Sequence, residues 1–169
     1  MSSFREAVNE AMLMLAEDTR TVFVGQSVRY DGAAIFDSLK GVPMNKRVEF
    51  PVVENLQLGY CTGLSLTGTL PICIYPRMDF MLLAMDQLVN HLDKLPAFGW
   101  RPKVIIRTTV GGKTPLDAGL QHTQNHAAAF RAMLSTVTVR EVRTPFEVED
   151  TYRDALRSDH SWLIVENPA

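Results

Sequence analysis

The chain has 169 residues, the size of one ordinary domain. With 46% hydrophobic and 21% charged residues, it reads as globular and not as disordered. A net charge of -2 offers no electrostatic basis for binding nucleic acid or an anionic membrane surface.

The first residues, MSSFREAVNEAM, carry charges where a signal peptide would carry an apolar core. No apolar run approaches the length that spans a bilayer. Cys61 and Cys73 sit in apolar surroundings and suggest neither a disulfide framework nor a metal cluster. A cytosolic location follows as the expectation.

Ser3-Phe4-Arg5-Glu6 fits a capping box, and Phe4, Val8, Met12 and Leu15 follow at helical spacing. TVFVGQ, residues 21–26, is a short β-branched run closed by Gly25. RVEFPV, residues 47–52, is strand-like, with Pro51 marking its end. From Glu54 to about Gly68 the pattern is helical, and its small residues allow close approach to another backbone. LPICIY, residues 70–75, reads as a buried strand. Residues 79–95 read as one helix with Phe80, Leu83, Leu88 and Leu92 on one side, stopped by Pro96.

KVIIRTTV, residues 103–110, is the next strand, and His122 opens a helix that runs to about Leu134. TVTVREV, residues 136–142, is a strand. Thr144-Pro145-Phe146-Glu147 is a second capping box with proline at the first helical position. SWLIVEN, residues 161–167, is the last strand. Strands alternating with helices indicate an α/β domain: a doubly wound, mostly parallel sheet with helices on both faces, spanning residues 1–169.

In such sheets ligands bind beyond the carboxyl ends of the strands. Residues 26–32, 53–54, 76–80 and 111–122 fall at that edge, and Glu54 reaches it by topology alone. A first-turn glutamate on a surface helix is the plain reading of Glu54. A shielded acid that polarises a ligand is the functional one. Gly111-Gly112-Lys113-Thr114 resembles the tail of a phosphate-binding loop, but Arg107 stands where its first glycine belongs. His122 and His126 have the spacing of two zinc ligands without a third ligand nearby, and His126 reads as a packed or surface residue. At a helix N-terminus His122 would be a neutral imidazole able to exchange a proton; a capping or solvent-exposed histidine is the alternative.

Taken together, VVENLQLGYCTGLSLTG, LPICIYPRMDFMLLAMDQLVNH, GLQHTQNHAAAF and WLIVENP resemble the β subunit of 2-oxo acid dehydrogenase E1 components. More broadly, the ordered set is similar to the pyrimidine-binding domain of transketolase-like thiamine diphosphate enzymes. The resemblance implies that Glu54 bonds N1′ of the cofactor's aminopyrimidine, that Phe80 lines the pyrimidine pocket, and that His122 faces the substrate. It also puts Tyr30, within RYDGAA, in a loop beside the cofactor. The cofactor must lose the C2 proton of its thiazolium ring, and a carboxylate at N1′ favours the tautomer whose N4′ takes that proton.

Two positions depart from the family pattern: Gln26 replaces a glutamate, and Arg77 replaces a second pocket aromatic. The family's β subunit continues beyond the stretch matching WLIVENP, whereas this sequence ends at Ala169. The resemblance therefore implies half a site. The chain would pair with itself and with a subunit that holds the diphosphate through Mg2+. It would act on a 2-oxo acid or ketose, as an oxidoreductase or transferase component inactive alone. A non-catalytic relic of the domain, kept for binding or assembly, is the rival expectation.

Overall fold

The computed structural model describes residues 3–112 and 117–168. Six strands form one sheet: β1 (Thr21–Gly25), β2 (Arg47–Glu49), β3 (Leu70–Tyr75), β4 (Ile105–Thr109), β5 (Thr138–Val142) and β6 (Trp162–Glu166). Their order is β2-β1-β3-β4-β6-β5, and every pair is parallel. The chain leaves β1 for β2 on one side and returns to β3 on the other. Such a reversal opens a crevice at the carboxyl ends of β1 and β3.

A parallel sheet covered on both faces needs apolar residues of both parities. On β3, Ile72 and Ile74 join one core with α1 (Phe4–Glu17) and α5 (Pro145–Arg157). Cys73 and Tyr75 join the other core with α3 (Glu54–Ser65) and α4 (Ala127–Met133). Phe23 and Val24, Ile105 and Ile106, and Leu163 and Ile164 divide the same way. Both capping boxes form, at Ser3 with Glu6 and at Thr144 with Glu147. Cys61 and Cys73 are buried free thiols. No helix among the described residues is long and apolar enough to cross a membrane.

Residues 78–92 do not form the regular helix that the pattern suggests. Met78–Ala84 is a 3-10 helix and Asp86–Leu92 a π-helix. Burial explains the switch. Met78, Met81 and Ala84 recur every three residues, which suits three residues per turn. Ala84, Leu88 and Leu92 recur every four, which asks for a wider turn. The expected inner face holds at Leu88 and Leu92, which are buried, and fails at its start: Leu83 is exposed and Phe80 is half-buried. A short helix that sequence patterning misses, α2 (Ala34–Ser38), follows the loop after β1.

Among the described residues neither glycine of α3 meets a second backbone. Gly59 faces the side chain of Gln87, and Gly63 faces open space. The outer side of α3 leaves Val52, Val53, Leu56 and Tyr60 exposed, so the helix carries apolar groups on both sides.

Asp93 joins the end of the irregular helix to the entry of β5. It is 1% exposed, and its Oδ1 accepts the backbone N–H groups of Ser135 at 2.8 Å, Thr136 at 2.7 Å and Val137 at 3.2 Å. Burial alone would raise its carboxyl, but the Lys94 ammonium and these three N–H groups outweigh burial and hold it at about 2. Because the folded value lies below the unfolded one, this contribution is present above about pH 4 and is lost as pH falls towards 2. Asp93→Ala should cost about 2–4 kcal/mol near neutral pH. Urea unfolding at pH 7 and pH 3 should show the penalty shrinking at the lower pH.

Candidate active site

The edge of the sheet is shaped first by the loop after β1. Ser27 holds a positive φ of 59°, a conformation that costs energy in a residue with a side chain. Glu49, at the end of β2, compensates: its carboxylate accepts the Ser27 N–H at 2.6 Å and the Arg29 N–H at 2.9 Å. Arg47 fixes the far half of the loop. Its buried guanidinium donates to the carbonyls of Val28, Leu39 and Val42.

Glu54 is the first residue of α3 and only 5% exposed. Gln26 Nε2 donates to its Oε1 across 3.3 Å, and Tyr75 donates its phenol proton to its backbone carbonyl at 2.9 Å. Among the described residues no cation forms an ion pair with it. The plain reading, a solvated first-turn glutamate, is therefore excluded. Gln26, whose amide departs from the family pattern, supplies a neutral donor to this carboxylate.

Beyond the carboxyl ends of β1, β3, β4 and β6 lies a cavity of about 500 Å³. Phe80, His122, Arg77, Arg107, Thr109 and Glu166 line it. Phe80 and His122 meet edge to face with ring centroids 5.4 Å apart. The structure thus brings together two of the expected site residues. Glu54 and Tyr30 are not in the wall of this cavity, and the Tyr30 ring is 66% exposed.

His122 does not open a helix. It sits in a loop, and α4 begins at Ala127. Three hydrogen bonds, two of them to a residue distant in sequence, explain the delay. Asp79 accepts both the backbone and side-chain N–H of Gln124, and Asn125 Oδ1 caps α4 at the Ala127 N–H. The helix-terminus argument for a neutral His122 lapses accordingly. What positions His122 is close backbone packing: a side chain on Gly111 would begin 2.0 Å from the His122 carbonyl oxygen, so only glycine fits there. His126 is half-buried at the helix cap, packed on Met78, so the two histidines share no helix face. Lys113 and Thr114 of the phosphate-loop-like stretch, with Pro115 and Leu116, lie outside the described residues.

Arg107 and Glu166 form the back wall. Arg107 Nε meets Glu166 Oε1 at 2.8 Å and its Nη2 meets Oε2 at 3.1 Å, with both side chains 3% exposed. Tyr152 donates to Glu166 at 2.8 Å, and Arg107 donates to the Ser38 hydroxyl at 2.7 Å. Burial alone would lower the Arg107 guanidinium, but Glu166 raises it on balance; burial and then Glu166 push the Tyr152 phenol well up. Sequence patterning meets Arg107 only as the residue that breaks a phosphate-loop motif, and nothing local links it to Glu166.

A transketolase pyrimidine-binding domain model matches residues 1–167. The chain belongs to that family. Curated relatives include the mitochondrial pyruvate dehydrogenase E1 component subunit beta of Chaetomium thermophilum, 28% identical over 96% of this chain and 44% of that protein. The Caenorhabditis elegans subunit is 29% identical over 96% and 47%. The chain therefore spans about half the length of the curated relatives it matches. Among solved structures, a split-gene transketolase described as an inactive β4 tetramer superposes with a TM-score of 0.77 at 17% identity, covering 99% of this chain and 52% of that one. Transketolase from Campylobacter jejuni gives 0.75 at 14% identity, over 96% and 25%. These likenesses bear out the doubly wound α/β fold and the E1 β-like pyrimidine domain.

Within this domain the buried pair is a structural weak point if halved. Glu166→Ala should destabilise by about 3–5 kcal/mol, because it strands the Arg107 charge and the Tyr152 hydroxyl. Replacing both partners together, Arg107→Met with Glu166→Leu, should cost far less. Guanidinium unfolding of the three proteins checks the order.

Proposed function

We propose that the chain is the pyrimidine-domain component of a thiamine diphosphate-dependent enzyme acting on a 2-oxo acid or a ketose. One observation carries the reading: Glu54 is buried at the carboxyl edge with a neutral amide as its side-chain partner and, among the described residues, no cation paired to it. A shielded carboxylate with spare acceptor capacity suits a ligand N–H, as N1′ of a protonated aminopyrimidine would offer. When bound, the cofactor supplies the carbanion chemistry at C2 of its thiazolium ring. Glu54 would hold the proton at N1′, Phe80 would cover the ring, and His122 would donate to or accept from the substrate in the cavity.

The donor set fits the pyrimidine end of the cofactor and not the other. No group of three or more metal-binding side chains occurs among the described residues, and Arg5 and Arg107 are already paired with carboxylates. The diphosphate and its Mg2+ would come with a partner subunit. Tyr30, exposed on the loop after β1, would touch cofactor only once such a partner covers it. The exposed apolar side of α3, with open space at Gly63, suits pairing with a second copy. A non-catalytic assembly module is the second reading, favoured by Arg77 in place of a pocket aromatic.

Calorimetry separates them. The purified chain should bind thiamine diphosphate in the millimolar range or not at all, since pyrimidine contacts alone must meet an immobilisation cost of several kcal/mol or more. Sedimentation of the same sample should show self-association that Leu56→Asp abolishes. Adding a subunit that carries the diphosphate motif should create Mg2+-dependent micromolar binding and turnover. Assembly with that subunit but without cofactor binding would favour the non-catalytic module. Micromolar binding by the chain alone would overturn the half-site reading.

A further inference from the structure

Three arginines line the cavity, and two of them are neutralised. Arg5, at the mouth, pairs with Asp37 at 2.6 Å, and Arg107 pairs with Glu166 at 2.8 Å. Arg77 pairs with no carboxylate among the described residues. Its contacts there are neutral: Nη1 donates to the Pro76 carbonyl at 2.9 Å and to the Thr109 hydroxyl at 3.1 Å. Thr109 in turn donates to the same Pro76 carbonyl at 2.6 Å. This closed triangle fixes the side chain from one edge.

The other edge is open. Nε lies against Gly111, 3.3 Å from where a side chain would begin, and neither Nε nor Nη2 has a hydrogen-bond acceptor among the described residues. Phe4, Val8, Ile35 and Phe80 supply apolar wall around it. Holding an unpaired charge in partly apolar surroundings is costly unless an anion meets it. A guanidinium offers Nε–H and Nη2–H as a planar fork that matches the two oxygens of a carboxylate or a phosphate. Phe80 and His122 stand in the same cavity, so an anion held by Arg77 would lie beside the groups assigned to cofactor and substrate.

We propose that Arg77 is a specificity-determining residue, receiving a carboxylate or phosphate group of the substrate through its open edge. Calling that anion part of a substrate rests on the proposed thiamine function; the binding of an anion at Arg77 does not. The residue that departs from the family's aromatic pattern thereby becomes the source of selection for a charged substrate.

The test titrates the full chain, without any cofactor, in two arms: inorganic phosphate and acetate, each at constant ionic strength set with chloride. NMR follows the Gly111 amide and the His122 ring. At least one anion should shift both signals saturably, with a dissociation constant in the low-millimolar range. The arm that saturates first names the group. Arg77→Gln should weaken that binding about tenfold, and Arg77→Lys should restore part of it, as loss and return of a charge-assisted bond require. Arg140→Gln, on the exposed part of β5, should leave it unchanged. No saturable shift with either anion in the unaltered chain would overturn the proposal, whether or not any variant folds. Equal binding by Arg77→Gln would overturn it too. Either result would leave the reading of Glu54 standing, because no thiamine diphosphate is present in the tube.

Discussion

The ion pair between Arg107 and Glu166 is the constraint on which the carboxyl edge of the sheet depends. Parallel strands covered on both faces ordinarily carry apolar side chains. Here the middle of β4 and the end of β6 carry a guanidinium and a carboxylate instead, joined by two hydrogen bonds and tied to Tyr152 of α5 and Ser38 of α2. Such a pair is not a cheap source of stability, since the desolvation of both charges opposes their attraction. Its effect is geometric. It holds the two helices against the strand ends and leaves a polar wall where the cavity opens.

From that wall the rest of the site follows. The neighbouring strand ends contribute Pro76 with Arg77 after β3 and Ser27 after β1. The loop carrying His122 closes over Gly111, which must be glycine to admit the His122 carbonyl. Glu54 is not part of the cavity wall; it is buried at the start of α3 with Gln26 as its side-chain partner. Among the described residues two polar surroundings result: a cavity whose one uncompensated arginine is Arg77, and a buried acid whose carboxylate meets an amide and no cation. A substrate and a cofactor ring make complementary demands of that kind.

Much of this was legible in the residues, because the relevant signals are local. Both capping boxes, β3 and the placement of Glu54 between strand and helix need only spacing and residue type. The irregular helix over residues 78–92 was not legible, since Phe80 and Leu83 are as apolar as the Met78 and Met81 that win the core. The late start of α4 depends on Asp79 reaching Gln124 across 45 positions of sequence. The pairing of Arg107 with Glu166 spans 59 positions and leaves no periodic trace. Family likeness identified Glu54, Phe80 and His122 as a set. It could not say that Phe80 and His122 share a cavity whose wall does not include Glu54.

Glu54 remains the centre of the functional account, and hydrogen–deuterium exchange at C2 of thiamine diphosphate addresses it most directly. The measurement is made by NMR on the assembly proposed above, the chain together with a diphosphate-binding subunit. Glu54→Gln keeps the volume of the side chain and the Gln26 contact, and removes only the ionisable group. Exchange in that variant should fall by roughly 10²- to 10⁴-fold with the fold and the assembly intact. Exchange at the unaltered rate, with cofactor fully bound, would contradict the assignment of Glu54 to cofactor activation.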